Sequence, residues 1–266
     1  MRTLKLTIAY DGTRYGGWQV QHGHQASKPT IQGTLETILR RILRERVVVV
    51  GSGRTDAGVH AMAQVAHIRT RSRSSCAQLL HSLNQLLPAD IAVLSLEEVD
   101  AHFHAQYRAI RKRYRYRIFT GTVASPFIRP YVHQVRAPLQ VARMRREAAA
   151  LRGRHDFRAF TRGGGAGPHT NHVGVGVNRR TTTRTIGGIS LTRRNQEVQL
   201  DVEGNGFLHT MVRTIAGTLI DVGRGRLPAG TIRRMLTTGD RRLTGTVAPA
   251  RGLTLISVEY GSRDEC

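Results

Sequence analysis

Cysteine is scarce in this sequence, with only Cys76 and Cys266 in 266 residues. So few thiols exclude a disulfide framework and a zinc site built from several cysteines, and they are typical of a reducing compartment. No apolar run approaches the roughly 18 residues of a membrane span, and the first residues alternate like a strand and not like a signal peptide. We therefore predict a cytoplasmic protein without a membrane segment.

Acidic residues are also scarce, with 18 against 41 basic ones and a formal net charge of +23. The excess of positive charge lies mostly in the second half. Residues 1–105 hold 12 basic and 8 acidic groups, whereas residues 106–266 hold 29 basic and 10 acidic groups. A protein this basic favours polyanionic partners, and nucleic acid is the most common of them. Arginine supplies 38 of the 41 basic residues, so a bias in codon usage is an alternative source of the excess.

Apolar residues in the first part of the chain follow strand and helix periods in turn. Leu4, Leu6 and Ile8 occupy every second position, as in a strand with one buried face, whereas Leu35 and Leu39 lie one helical turn apart. Continued along the chain, these patterns predict strands at 3–10, 47–50, 64–68 and 91–96 and helices at 30–45 and 79–87, which is the order βαββαβ.

The second half repeats this order. The patterns predict strands near 110–119, 183–192, 197–203 and 253–260, helices near 138–152 and 207–222, and a short extra helix near 230–237. We therefore predict an α+β protein of two tandem RRM-like or ferredoxin-like units, 1–105 and 106–266, each with helices on one face of a sheet. Residues 161–180 are rich in glycine and lack an apolar period, so they predict a flexible insertion in the second unit.

Residues 51–60 form the stretch with the clearest chemical character, and we call them the Asp56 loop. They follow four valines and hold three glycines, so a buried strand ending in a turn is expected there. Asp56 is the only acid in the loop, and Arg54 lies on the same side of the chain if the backbone is extended. A turn in which Asp56 caps its own backbone is the alternative, and the spacing alone does not distinguish the two.

Residues 53–60, Gly-Arg-Thr-Asp-Ala-Gly-Val-His, resemble residue for residue the signature of the TruA family of tRNA pseudouridine synthases. Further motifs occur in the family's order: Tyr10-Asp11-Gly12, Gly17-Trp18-Gln19, Arg113-Tyr114-Arg115-Tyr116, Met211-Val212-Arg213, Gly252-Leu253 and Val258-Glu259-Tyr260. The resemblance covers nearly the whole chain, but the connection between Asp156–Phe160 and Arg184–Ile186 is longer here than is usual in the family.

The resemblance implies a function and a site. It implies a homodimer that isomerises uridine to pseudouridine on the 3′ side of the anticodon stem-loop of tRNAs, in a catalytic cleft between the two units and without a cofactor. Asp56 would be the nucleophile and Arg213 would orient it. Arg54 would help to extrude the target base, and Tyr114 would stack on the uracil and take part in proton transfer.

A row of arginines on one predicted strand suggests an RNA contact. Alternation places Arg111, Arg113, Arg115 and Arg117 on one face and both Tyr114 and Tyr116 on the other. Guanidinium groups at this spacing suit a phosphate backbone and a tyrosine ring suits stacking on a base. The alternative is a solvated arginine face with both tyrosines in the core.

Two other functions compete with the enzyme. A non-catalytic RRM-like RNA-binding protein would carry the aromatic Arg/Lys-Gly-Phe-x-Phe signature, which is missing from the predicted strands. A nuclease usually gathers several carboxylates around metal ions, whereas Asp56 stands alone. Several histidines, at 60, 67, 102 and 104, have no acidic or cysteine ligand at a familiar spacing, so we predict no metal site.

Overall fold

The computed structural model describes residues 1–20, 28–162 and 181–261. The chain forms two compact units: Met1–Ala109 with the C-terminal segment that begins at Leu255, and Ile110–Thr254. The predicted boundary at 105/106 therefore lies close to the observed one. The assignment of the C-terminal segment to the second unit differs from the structure, because the last strand joins the sheet of the first unit. Most of the predicted insertion, 161–180, lies outside the described residues and stays a prediction.

The first unit contains the predicted strands and helices with shifted ends, and the strand predicted at 47–50 differs most. The elements are β1 (Arg2–Tyr10), α1 (Ile31–Leu43), β2 (Val50–Gly51), β3 (His60–Thr70), α2 (Cys76–Leu86) and β4 (Ile91–Val99). Strand β10 (Leu253–Tyr260) begins in the second unit and ends in this one. The order across the sheet is β4-β1-β3-β10, with β1 antiparallel to both β3 and β4.

Helix α1 covers this sheet for reasons that are visible in its sequence. The side chain of Thr30 accepts a hydrogen bond from the amide of Gly33 at 3.2 Å, which caps the first turn. Ile31, Leu35 and Leu39 then recur at helical spacing, and all three are fully buried. The alternating residues of β1 supply the facing side of the core.

The valine run forms less strand than its composition predicts. Val47 and Val49 are buried and Val48 is 59% exposed, as in a strand, but regular pairing is confined to Val50 and Gly51. These two residues pair with His67 and Ala66 of β3. Strand β10 also lies beside β3, so only a short part of that edge is left for β2.

The second unit is built on a similar plan with additions. Its elements are β5 (Ala109–Phe119), β6 (His133–Gln134), α3 (Val141–Ala149), β7 (Gly153–Asp156), β8 (Thr183–Arg194), β9 (Glu197–Gly204), α4 (Met211–Gly223) and α5 (Thr231–Thr238). The sheet order is β5-β9-β8-β7, and β6 pairs with β5 in parallel. Strands β6 and β7 were not predicted from the sequence. The predicted α+β class is confirmed.

Helix α4 is more buried than its sequence pattern predicts. The sequence predicts a helix near 207–222, whereas every residue of α4 other than Arg213 is buried and the helix begins only at Met211. The reason is close packing on its outer side, where a Cβ on Gly217 would lie 1.7 Å from the carbonyl oxygen of Thr246. Among the helices of the described residues, none combines the length and the apolar character that crossing a membrane requires.

Candidate active site

The Asp56 loop joins β2 to β3 in the first unit. Exposure alternates along it, since Arg54 is exposed, Thr55 is buried with 7% of its surface accessible, and Asp56 is partly exposed. Arg54 and Asp56 are therefore both accessible to solvent, whereas the residue between them is not. A hydrogen bond from the amide of Val59 to the carbonyl of Asp56, at 3.1 Å, then closes the turn.

The beginning of the loop is attached firmly to β3. The side chain of Gln64, which is fully buried, donates to the carbonyl of Gly53 at 3.0 Å and accepts from the hydroxyl of Ser52 at 2.7 Å. The amide of Ser52 also donates to the carbonyl of Val65 at 2.7 Å. These bonds lie three and four residues before Asp56, so the approach of the chain to the carboxylate is held by buried, satisfied polar groups.

A second segment, residues 10–18, lies directly against the Asp56 loop. A Cβ on Gly12 would lie 2.0 Å from the carbonyl oxygen of Val59, and a Cβ on Gly17 would lie 2.7 Å from that of Thr55. Gly17 also has φ +102, a conformation that favours glycine. Only glycine allows the two backbones to approach this closely at both positions. The motifs Tyr10-Asp11-Gly12 and Gly17-Trp18 thus border the loop that carries Asp56.

Two hydrogen bonds connect the 10–18 segment to Thr55, the residue before Asp56. The hydroxyls of Tyr10 and Thr55 are 2.9 Å apart, and the amide of Trp18 donates to the carbonyl of Thr55 at 3.1 Å. Burial raises the pKa of Tyr10 to about 12, while hydrogen bonds with Thr55 and Gln64 act in the opposite direction. Tyr10 is therefore neutral at physiological pH and is able to donate or accept in this bond.

His60 connects the other end of the loop to the same segment. Its Nδ1 lies 3.1 Å from the carboxylate of Asp11 and 3.2 Å from the amide nitrogen of Gly12, and the residue is 4% exposed. When protonated, Nδ1 donates to Asp11; when deprotonated, it accepts from Gly12. In both states the ring holds the end of the Asp56 loop to the turn after β1. The sequence suggested His60 only as a possible metal ligand, and this positioning contact was missed.

The second unit positions Tyr114 and Arg213, the other two predicted site residues. Tyr114 lies on β5 with its ring edge-to-face against Phe207, the centroids 5.2 Å apart, and is 8% exposed. Tyr116, two residues further on, is fully buried, and its hydroxyl donates to the carbonyl of Pro249 at 2.9 Å. Tyr116 is therefore a core residue, as the alternative interpretation proposed, and Tyr114 is also buried but retains a small accessible area.

Arg213 is the one residue of α4 that is not buried. Its Nε donates to the carbonyl of Ala248 at 2.8 Å, and the amide of Ala248 donates back to the carbonyl of Arg213 at 3.1 Å. The segment that contains Ala248 is itself held to α4, since Asp221 accepts from the amide of Thr246 at 2.9 Å and Thr218 accepts from that of Gly245 at 3.1 Å. The side chain of Arg213 therefore extends from a buried helix in a fixed direction.

The arginines on β5 form ion pairs within the sheet, which changes their interpretation. The pairs are Arg111 with Glu203, both Arg113 and Arg115 with Asp201, and Arg117 with Glu197, at 2.8–3.4 Å. Arg117 lowers the pKa of the Glu197 carboxyl chiefly by hydrogen bonding to it. Cross-strand carboxylates thus already occupy the guanidinium groups that the sequence suggested as a phosphate ladder.

Two of the histidines noted in the sequence lie together, and His60 has other contacts. His67 and His104 lie 4.8 Å apart between ring centroids, and Nδ1 of each accepts backbone amides, while His60 contacts Asp11. In the part of the chain that the structure describes, no three residues among His, Cys, Asp and Glu are grouped to hold a metal ion.

The structure brings some predicted residues together and leaves others in separate units. Asp56 and Arg54 share one loop of the first unit, whereas Tyr114 and Arg213 belong to the second. The supporting residues Tyr10 and Gly12 were missed as parts of the site. Their motif was visible in the sequence, but no local pattern indicates that it packs on a loop more than 40 residues away.

Comparisons with known proteins show the family of this chain. Residues 6–108 and 148–261 match a protein family described as tRNA pseudouridine synthase. Three proteins named tRNA pseudouridine synthase A are similar over 98% of this chain and their whole length: those of Moorella thermoacetica (43% identical), Pelobacter propionicus (42%) and Acetivibrio thermocellus (39%). A solved Cbf5-Nop10-Gar1 complex aligns with 94% of this chain and 57% of that chain at a TM-score of 0.32 and 12% identity, values from which no conclusion about the fold follows. Because the chain matches the family over most of its length and matches members over their whole length, it belongs to the tRNA pseudouridine synthase family.

Proposed function

We propose that this protein isomerises uridine to pseudouridine in the anticodon stem-loop of tRNAs and that Asp56 is its nucleophile. The observation that carries the proposal is the Asp56 loop, in which a family signature presents a carboxylate on the accessible side of a loop held at both ends. Relatives named tRNA pseudouridine synthase A match this chain over their whole length, which supports tRNA as the substrate.

The reaction is a rearrangement within one nucleotide. The bond from N1 to C1′ breaks and a bond from C5 to C1′ forms, while C5 loses a proton and N1 gains one. Atoms and oxidation state balance without a cofactor. Asp56 attacks C1′ or C6, or removes a ribose proton to give a glycal, and each of these routes requires a carboxylate at the junction of sugar and base.

The other three site residues have distinct proposed roles. The exposed Arg54 helps to extrude the target base or takes its place in the stack. Tyr114 contacts the uracil and takes part in proton transfer, and Arg213 orients the Asp56 carboxylate. The fixed Nε of Arg213, bonded to Ala248, supports this last role because it limits the positions that the rest of the guanidinium occupies.

The replacement of Asp56 by Asn tests the nucleophile. Asp56→Asn keeps the shape of the side chain and removes its charge, so it should abolish pseudouridine formation in an unmodified tRNA transcript. Its Kd for tRNA should stay within about threefold, because phosphate contacts dominate affinity. Asp100→Asn, the same change at another carboxylate of the first unit, serves as the control and should keep full activity. Substantial turnover by Asp56→Asn would contradict the assignment.

The position of the product tests the substrate. Chemical mapping of pseudouridine in the tRNA transcript should place it on the 3′ side of the anticodon stem-loop, and an isolated stem-loop should also be a substrate. Modification in another arm of the tRNA would refute the proposed specificity while leaving the isomerase activity intact.

We also propose that the enzyme is a cytoplasmic homodimer. The small number of cysteines supports a reducing compartment. Light scattering of the purified protein should give twice the 29.5 kDa mass of one chain. A monomer mass at concentrations where the enzyme is active would contradict the dimer.

A further inference from the structure

Two helices of the second unit present exposed arginines that are not neutralised. Arg143 and Arg146 lie on α3, and Arg233 and Arg234 lie on α5. All four are exposed, and none forms an ion pair with any residue in the described ranges. We refer to these four residues as the helix arginines.

The only acid in the two helices does not offset this charge on the surface. Glu147 of α3 is 8% exposed, and its carboxylate accepts from the amides of Gly230 at 2.5 Å and Ile232 at 3.0 Å. It thus caps the first turn of α5, where the helix dipole favours a negative charge. This contact joins α3 to α5, so the helix arginines belong to one packed pair of helices.

The contrast with β5 is informative because both groups of arginines lie in the same unit. Each arginine of β5 has a carboxylate partner on β9, so a phosphate there would displace an existing ion pair. A phosphate at the helix arginines would displace only water and counterions, whose release favours binding. The helix arginines therefore keep their full charge for a polyanion, as do exposed arginines elsewhere in this unit such as Arg193 and Arg194.

The start of helix α3 lies away from the proposed site residue Arg213. Helix α3 contacts the C-terminal end of α4, where the amide of Gln140 donates to the carbonyl of Gly223 at 2.9 Å. Arg213 lies ten residues earlier in α4, which corresponds to about 15 Å along the helix. One nucleotide does not span this distance, so a strand that reaches both places contributes different phosphates to each.

We propose that Arg143, Arg146, Arg233 and Arg234 form a docking surface for the phosphate backbone of the RNA substrate. A phosphate backbone is the partner that complements this charge, since guanidinium groups without neighbouring acids bind phosphate oxygens through one or two hydrogen bonds. The proposal rests on the proposed function, because it assigns the surface to that enzyme's substrate.

The test replaces all four helix arginines by Gln. Kd for the tRNA transcript should rise at least about tenfold at moderate salt, and the slope of log Kd against log salt should fall by about 3. The single-turnover rate at saturating enzyme should stay within about twofold, because no residue of the Asp56 loop is altered. Replacement of the same four residues by Lys should restore most of the affinity, and Tm should be unchanged in both variants.

A matched control removes the same charge elsewhere. Arg40, Arg41, Arg71 and Arg73 of the first unit are also exposed and form no ion pair in the described part of the chain. Both quadruple Gln variants lower the formal net charge from +23 to +19, that is 23 minus 4. If the control weakens tRNA binding equally, the effect is one of overall charge and the docking surface is refuted.

The result also separates this proposal from the proposed function. If the wild-type protein binds tRNA but forms no pseudouridine, the function fails while Kd and the salt slope still test the surface. If the helix variant binds tRNA with unchanged Kd and slope while catalysis proceeds normally, the surface fails and the function stands.

Discussion

The hydroxyl and the ring of Tyr114 make separable contributions to the proposed reaction. Tyr114→Phe should bind tRNA normally and lose at least about tenfold in kcat, because general acid–base groups typically contribute more than that. Tyr114→Leu should lose affinity as well, by the roughly 1–3 kcal/mol that stacking on a base supplies. The assay is single-turnover pseudouridine formation together with filter binding of the tRNA.

Tyr116→Phe provides the matched control two residues away. Its hydroxyl donates to the carbonyl of Pro249, so the change should lower the free energy of unfolding by about 1 kcal/mol and leave kcat unchanged. Equal losses of kcat in Tyr114→Phe and Tyr116→Phe would mean that both hydroxyls affect kcat only by stabilising the packed core, and would contradict the catalytic role of Tyr114.

His67 should make stability depend on pH in the acidic range. Burial, and then the charges of His104 and Arg69, lower the pKa of His67 from 6.5 to about 4. The folded state therefore favours the neutral ring, and this contribution is fully present above pH 6.5 and is lost as the pH falls through 4. A lowering of the pKa by this amount limits the contribution to roughly 3 kcal/mol.

The measurement is the free energy of unfolding between pH 7 and 4. In the wild type, Nδ1 of His67 accepts a hydrogen bond from the amide of Ala105 at 3.2 Å. His67→Asn places an amide oxygen near the position of that nitrogen and removes the titrating group. Its curve should start lower and fall less steeply than that of the wild type. The exposed His81→Asn on α2 should follow the wild type. Parallel curves for His67→Asn and the wild type would show that His67 is not responsible.

The contact between the 10–18 segment and the Asp56 loop should be intolerant of a single methyl group. A Cβ at Gly12 meets the backbone of Val59 at 2.0 Å, so Gly12→Ala has to displace one of the two segments. We expect a loss of about 1–3 kcal/mol in the free energy of unfolding, and at least a tenfold lower kcat because the carboxylate is displaced. Kd for tRNA should stay within about threefold.

Gly16→Ala is the control in the same segment, because a Cβ there would lie 3.6 Å from its nearest neighbour, an ordinary contact. It should retain both stability and kcat. A Gly12→Ala variant with normal kcat would show that the position of Asp56 does not depend on this contact.

The chain as a whole should act without a metal ion. Uridine isomerisation changes no oxidation state, and its atoms balance without a further reactant. Among the described residues, no group of His, Cys, Asp and Glu side chains is suited to hold a metal ion. Protein treated with EDTA should therefore retain its rate within about twofold on tRNA that was folded with spermidine. Loss of activity that returns with a divalent ion, on RNA already folded, would refute this prediction.

Particular residues show how far the sequence alone could lead. The periods of Leu4, Leu6 and Ile8, and of Leu35 and Leu39, predicted β1 and α1 nearly to their ends, because alternation and helical spacing depend only on local backbone geometry. The match of residues 53–60 to a family signature indicated Asp56 from the order of eight residues alone. Both inferences use information that neighbouring residues contain.

Long-range packing accounts for what the sequence could not predict. The arginines of β5 are ion-paired because the register of β9 places carboxylates directly or diagonally across from them, and the pattern of one strand does not reveal which residues lie on the next. The valines at 47–49 failed to form a full strand because β10, some 200 residues away, lies along β3. Helix α4 is buried on all sides because a later segment covers its outer face.

Composition and motifs were therefore sufficient to predict the fold class and the family, and they indicate Asp56 as the proposed reactive carboxylate, since each of these inferences depends on residue type and local order. The support of that carboxylate by Tyr10, Gly12 and His60, and the distribution of unneutralised arginines, depend on which distant segments meet. Those meetings are set by the burial of apolar surface over the whole chain, a property that no short stretch of sequence contains.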